Sequence, residues 1–137
     1  MNIRIGTGYF AKGKAYSDDG FTLVSIARTR PWFLPKELLV WYLSDLAPTG
    51  EIIGVKDNPK VYEKKYDEEI LSKTSAQEIL RKLERYAELE CKDKVALLCY
   101  ESPEKFCHRH LVARWLGDAL GIRIEEINLN PKEETLF

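Results

Sequence analysis

The sequence predicts a single three-layer α/β domain, with a mainly parallel, Rossmann-like sheet flanked by helices on both faces. Three observations carry this expectation. Apolar runs rich in β-branched residues stand at 21–27 and 95–99, and a third stretch, 122–127, alternates apolar with charged side chains, as strands do. Between them lie longer segments whose apolar residues recur at helical spacing. The two kinds alternate along the chain with no repeat or linker, the pattern of strand–helix–strand units laid side by side.

Taken in order, residues 2–5 alternate and make a first short strand. Gly6, Gly8 and Gly13 follow around Tyr9 and Phe10. Gly-Thr-Gly lacks the third glycine at dinucleotide-loop spacing and no helical pattern follows directly, so these glycines read as an ordinary turn. Ser17-Asp18-Asp19-Gly20 makes a second turn. The strand 21–27 ends in Arg28-Thr29-Arg30-Pro31, because proline cannot continue a ladder. An aromatic loop, Trp32-Phe33-Leu34, leads to 35–43, which reads as a short helix opened by Pro35. Ala47-Pro48-Thr49-Gly50 breaks the pattern, and 51–55 reads as a minor strand or an extended connection. After a turn at 56–59, Val61, Tyr62, Tyr66, Ile70 and Leu71 share a helical face. Ser75 and Glu78 fit a capping box, opening a helix with Ile79, Leu80, Leu83, Tyr86 and Ala87 inward. The strand 95–99 follows, then a polar loop with Glu101, Ser102 and Pro103, then a helix starting near Cys107 with Leu111, Val112, Trp115 and Leu116 on its apolar face. Gly121 ends that helix, 122–127 is the last strand, and a polar tail begins at about residue 130.

Composition narrows the classes of function. One domain spanning 1–137 is long enough for a full core. Its 21 basic and 22 acidic side chains cancel to a net charge of −1, which argues against stable nucleic-acid binding, since that needs a basic surplus. No apolar run approaches the ~20 residues of a membrane span, and the start lacks the charged and apolar regions of a signal peptide. Three cysteines, an odd number, do not read as a disulfide framework. A reduced, cytoplasmic protein without membrane association is expected.

Chemistry concentrates between Val95 and Leu116. The motif Leu97-Leu98-Cys99-Tyr100-Glu101, followed by Phe106-Cys107-His108-Arg109, resembles a bacterial family of uncharacterised proteins, domain-of-unknown-function family 488. Ser25-Ile26-Ala27-Arg28 with Pro31, Leu46-Ala47-Pro48 and the Tyr62/Tyr66 pair agree with it. The matched segments are spread from the second strand to the last helix. The resemblance implies a compact α/β domain with a pocket near these motifs, and no assigned reaction. Some members carry an acidic residue where Ala27 or its neighbours stand here, so no mechanism relying on that acid is expected.

Four readings of the motif stand side by side. In the first, His108 and Arg109 sit at a helix amino end that favours negative charge. Arg28, from another strand end, joins Arg109 in gripping a phosphate or carboxylate; otherwise Arg109 merely pairs with Glu101 or Glu104. In the second, Cys107 is a nucleophile whose thiolate the helix start favours. Glu101 then acts as acid or base and Tyr66 as a hydrogen-bond donor. The third is a zinc site drawn from Cys99, Cys107, His108 and His110, whose spacing is unfamiliar and whose histidines point to different sides of a helix; no metal is therefore assigned. In the fourth, Trp32 and Phe33 form a partner surface or stack on a planar ligand. The expectation adopted is a pocket of Arg28, Tyr66, Glu101, Cys107, His108 and Arg109. The two arginines bind a small anionic, nucleotide-like ligand, Glu101, Cys107 and His108 are the catalytic candidates, and no cofactor is expected. The alternative is a non-catalytic binding or interaction module in which the Cys-His-Arg turn is structural.

Overall fold

The chain runs through β1 (Arg4–Tyr9), α1 (Gly13–Asp18), β2 (Phe21–Ser25), β3 (Trp41–Tyr42), α2 (Gly50–Ile53), α3 (Pro59–Glu69), α4 (Ala76–Leu89), β4 (Lys94–Cys99), α5 (His108–Leu120) and β5 (Glu125–Glu126), with short 3-10 turns between. This is a computed structural model, and it describes residues 2–100 and 107–129. Among the described residues five strands form one sheet in the order β3-β2-β4-β1-β5, and each pairing there is parallel.

β4 is the middle strand. It pairs with β1 from Arg4↔Lys94 to Tyr9↔Cys99 and with β2 from Phe21↔Lys94 to Ser25↔Leu98. Val95 to Cys99 are all buried, which explains an unbroken apolar run, because helices cover both faces of such a strand. On one face Val95, Leu97 and Cys99 meet Tyr66 of α3, Ile79 and Leu83 of α4, and Val112 and Leu116 of α5. On the other, Ala96 and Leu98 meet Phe10, Tyr16 of α1, Leu23 and Leu34. Three layers result, as the sequence predicts.

The helix ends are set by side chains. Asn58 caps α3, accepting the Val61 N–H at 3.3 Å, with Pro59 in the first turn. Ser75 caps α4 by accepting the Glu78 N–H at 3.1 Å. Gly121 closes α5 with φ +67°, a left-handed conformation that favours glycine.

Several expectations are corrected. Gly6 and Gly8 lie inside β1, not in a turn. A Cβ on Gly8 would fall 2.5 Å from the Tyr16 ring, so glycine serves there as room for an aromatic side chain packed on the strand. Residues 35–43 are not a helix. Arg30 donates to the carbonyls of Pro35 and, at 3.3 Å, Leu38, pinning consecutive turns, and Trp41 and Tyr42 then pair with Val24 and Ser25 of β2. Trp41 stacks on Tyr86 with centroids 4.9 Å apart and donates its indole N–H to Glu90. Residues 51–55 are not extended either, because Thr49 accepts the Ile52 N–H at 3.2 Å and starts α2. Of 122–127, only Glu125 and Glu126 form strand, against Gly6 and Thr7 of β1. The loop carrying Glu101 and the tail from 130 lie outside the described residues.

Candidate functional site

β2 and β4 end side by side, and Tyr100 ties the two ends together. Its hydroxyl donates to the Thr29 carbonyl at 3.1 Å and lies 2.9 Å from the Thr29 hydroxyl. Beside this tie opens a cavity of about 380 Å³, with Arg28, Lys56, Tyr62, Cys99, Cys107 and His108 among its lining residues. A larger groove of about 670 Å³ lies by Arg4, Asp19 and Lys94, at the strands' amino ends. It holds none of the expected reactive groups, so size does not locate the chemistry here.

Cys107 is the N-cap of α5 and His108 its first residue. The His108 Nε2–H donates to the Ile26 carbonyl at 2.6 Å, so in the neutral ring the lone pair is on Nδ1, which faces Cys107 Sγ at 3.8 Å. Burial pushes the His108 pKa down to about 4; the bond to Ile26 opposes the shift, and the neighbouring Arg109 and His110 add to it. The ring is therefore neutral near pH 7 and cannot serve there as a resting proton donor.

Arg109 does not join Arg28. It is fully buried, and its Nε and Nη2 donate to the two carboxylate oxygens of Glu126 at 3.0 and 3.2 Å. Thr7 donates to the same carboxylate at 2.9 Å. The remaining arm, Nη1, donates to Cys99 Sγ at 2.9 Å. Arg109 therefore faces β1 and β5, with a structural ion pair of a kind expected at this turn but a different partner. Arg28 is exposed on the cavity rim, its guanidinium over Gly50, where a Cβ would sit 3.2 Å from Nη1.

Cys99 and Cys107 are joined by a disulfide, while Cys91 is free and exposed. The odd cysteine count pointed to no disulfide framework, and this single bond joins the end of β4 to the start of α5. As a nucleophile Cys107 requires reduction. Together with His108 these cysteines are the one group of three metal-capable side chains among the described residues.

Tyr66 is not on the cavity wall. Its hydroxyl donates to the Leu46 carbonyl at 2.6 Å in the core, and burial pushes its pKa well up. Its ring, 5.5 Å from that of His108, backs the imidazole instead. His110 is exposed and lines a separate depression with Gly117 and Arg123. Trp32 and Phe33 are exposed, at 94% and 44%, and neither lines the cavity. Sequence reasoning missed Lys56, in a turn with no pattern, and Glu126, whose charged alternation suggested only a strand.

A family model described as DUF488-N3a, Active DUF488-N3 subclade, matches residues 9–120. No curated protein and no solved structure gives a significant match. Among the described residues, no helix is long and apolar enough to cross a membrane.

Proposed function

Since the chain belongs to the DUF488 family, in its DUF488-N3a subclade, we propose that it binds a small anionic molecule of nucleotide-like size and flatness at the carboxyl ends of β2 and β4. The carrying observation is the make-up of the cavity. Arg28 and Lys56 stand beside the apolar walls of Ile53, Tyr62 and Tyr100, above Cys107 and His108. A volume of about 380 Å³ falls within the ~300–1,000 Å³ of small-molecule sites, and the carboxyl edge is where parallel sheets take ligands. The Arg28 fork suits a phosphate or carboxylate, the α5 amino end adds its dipole, and the tyrosine faces suit a planar group.

The neutral His108 would accept a hydrogen bond through Nδ1. The subclade's description as active accords with an enzyme, in which Cys107 and His108 meet the bound molecule and Glu101, just after β4, supplies an acid or base. The scaffold alternative is favoured for one residue, Arg109, whose guanidinium is committed to Glu126.

A thermal-shift screen of wild type, Arg28→Ala and Lys56→Ala against inorganic phosphate, nucleotides, nucleosides and small carboxylates tests the reading. A ligand at ~100 times its Kd stabilises by ~2.7 kcal/mol, a readily seen rise in melting temperature. The expected result is a rise with an anionic compound that shrinks in both variants. An anion panel that leaves wild type unmoved, or moves all three proteins equally, removes the anion reading.

A further inference from the structure

The donors on the cavity floor have an arrangement that an anion held by Arg28 and Lys56 does not explain. Cys99, Cys107 and His108 are all buried, and their ligand atoms lie within 4.8 Å of one another. We infer that the reduced chain binds one divalent transition ion of the zinc kind through Cys99 Sγ, Cys107 Sγ and His108 Nδ1, with a fourth position that no described residue fills.

The Cys107–His108 spacing suits a shared ion, and reduction frees the two sulfurs to part around it. Tetrahedral zinc, with bonds of ~2.3 Å to sulfur and ~2.0–2.1 Å to nitrogen, sets the two atoms roughly 3.6 Å apart, and Cys107 Sγ and His108 Nδ1 are 3.8 Å apart. The tautomer is also the required one. Ligating histidines commonly donate their other ring N–H to a carbonyl or carboxylate, which fixes orientation, and here Nε2–H is held by Ile26. The surroundings suit sulfur ligands, because Arg109 donates to Cys99 Sγ at 2.9 Å and Cys107 stands at the N-cap position of α5, both settings that favour negative charge on sulfur. Two buried thiolates side by side would repel each other, and a divalent cation answers both charges.

The backbone agrees. The Cα atoms of the two cysteines are 7.3 Å apart, wider than the ~4.4–6.8 Å usual for disulfides, whereas two ligands of one ion are separated by two metal–sulfur bonds. All three residues line the cavity, and three protein ligands with an open position are the mark of a reactive rather than a structural zinc. His110 faces elsewhere and is not the fourth ligand.

The ion and the disulfide exclude each other. A dithiol gives two electrons and two protons to the Cys99–Cys107 bond and itself becomes a disulfide; the ion then takes both thiolates, and two protons pass to solvent. None of this rests on anion binding.

The test uses the full chain without a polyhistidine tag, carrying Cys91→Ser to remove the exposed thiol, reduced with a phosphine and titrated with Co²⁺. One equivalent should produce a thiolate-to-cobalt charge-transfer band and the visible bands of a tetrahedral site, both erased by Zn²⁺. Oxidation of the pair by a small disulfide, itself reduced to two thiols, should abolish the spectrum, and reduction should restore it. His108→Gln should shift the visible bands and weaken binding, while His110→Gln leaves both unchanged. A reduced chain with no saturable cobalt spectrum overturns the inference, as does a spectrum that survives oxidation and so arises elsewhere. The oxidised and reduced comparison uses one protein, so a ligand variant that fails to fold does not blunt it.

Discussion

An imidazole at position 108 is buried where a helix begins, and that burial, more than any neighbour, lowers its pKa to about 4. An unfolded histidine titrates near ~6.5. Between these values the unfolded chain holds a proton that the folded chain refuses. His108 therefore leaves stability undiminished above ~6.5 and lowers it as pH falls towards about 4. In the disulfide form, which holds no ion, this accounts for roughly 3 kcal/mol. Urea melts across that window should show the unfolding free energy of wild type falling by this amount more than that of His108→Gln. Arg109 and Glu126 give a second expectation. Glu126→Gln leaves a fully buried guanidinium without that charge partner, and because the carboxylate is one-quarter exposed the loss should be about 3 kcal/mol, the low end for such pairs. Arg28→Ala, at an exposed position, should change stability by less than ~0.5 kcal/mol. The placement of Cys107 and His108 at a helix start was legible because a strand, a loop and a helix start are local patterns. The partner of Arg109 was not, since Glu126 is distant in sequence and reaches it only through the order of the strands.

Among the elements, β4, α4 and α5 matched the sequence most closely, each marked by burial pattern and an end signal. Ser75→Ala removes the bond to the Glu78 N–H and should cost ~1 kcal/mol, read as a lower denaturation midpoint with unchanged slope. Gly8→Ala should cost more, ~1–3 kcal/mol, because Tyr16 must leave its place on β1. A Tyr16→Leu background should relieve part of that loss. The segment 35–43 misled for an identifiable reason. Its apolar residues suit either a helix or an edge, and the Arg30 bonds to two carbonyls decide between them from outside any helical window. Likewise the first glycines looked like a turn, because nothing local shows that an aromatic ring will occupy the space they leave.

For the molecule as a whole, the layer count follows from alternation of strand and helix, but the strand order does not, because β4, which follows β3 in the chain, lies between β1 and β2. Near-balanced charge has a bulk effect. With a sequence pI of about 6.2, solubility should pass through a minimum near that pH, measurable by polyethylene glycol precipitation across a pH series. Arg109 connects the middle of the sheet to its rim. One arm holds Cys99 Sγ on β4 and the others hold Glu126 on β5, with β1 lying between those strands. A cation shared by two acceptors makes their energies interdependent. Negative charge arriving on the Cys99 sulfur should therefore draw the guanidinium away from Glu126 and loosen β5, the edge strand that carries it. The Ile127 amide, bonded to the Thr7 carbonyl at 2.7 Å, should then exchange with deuterium faster in the reduced chain, making the rim of the sheet a gauge of the electron count at its centre.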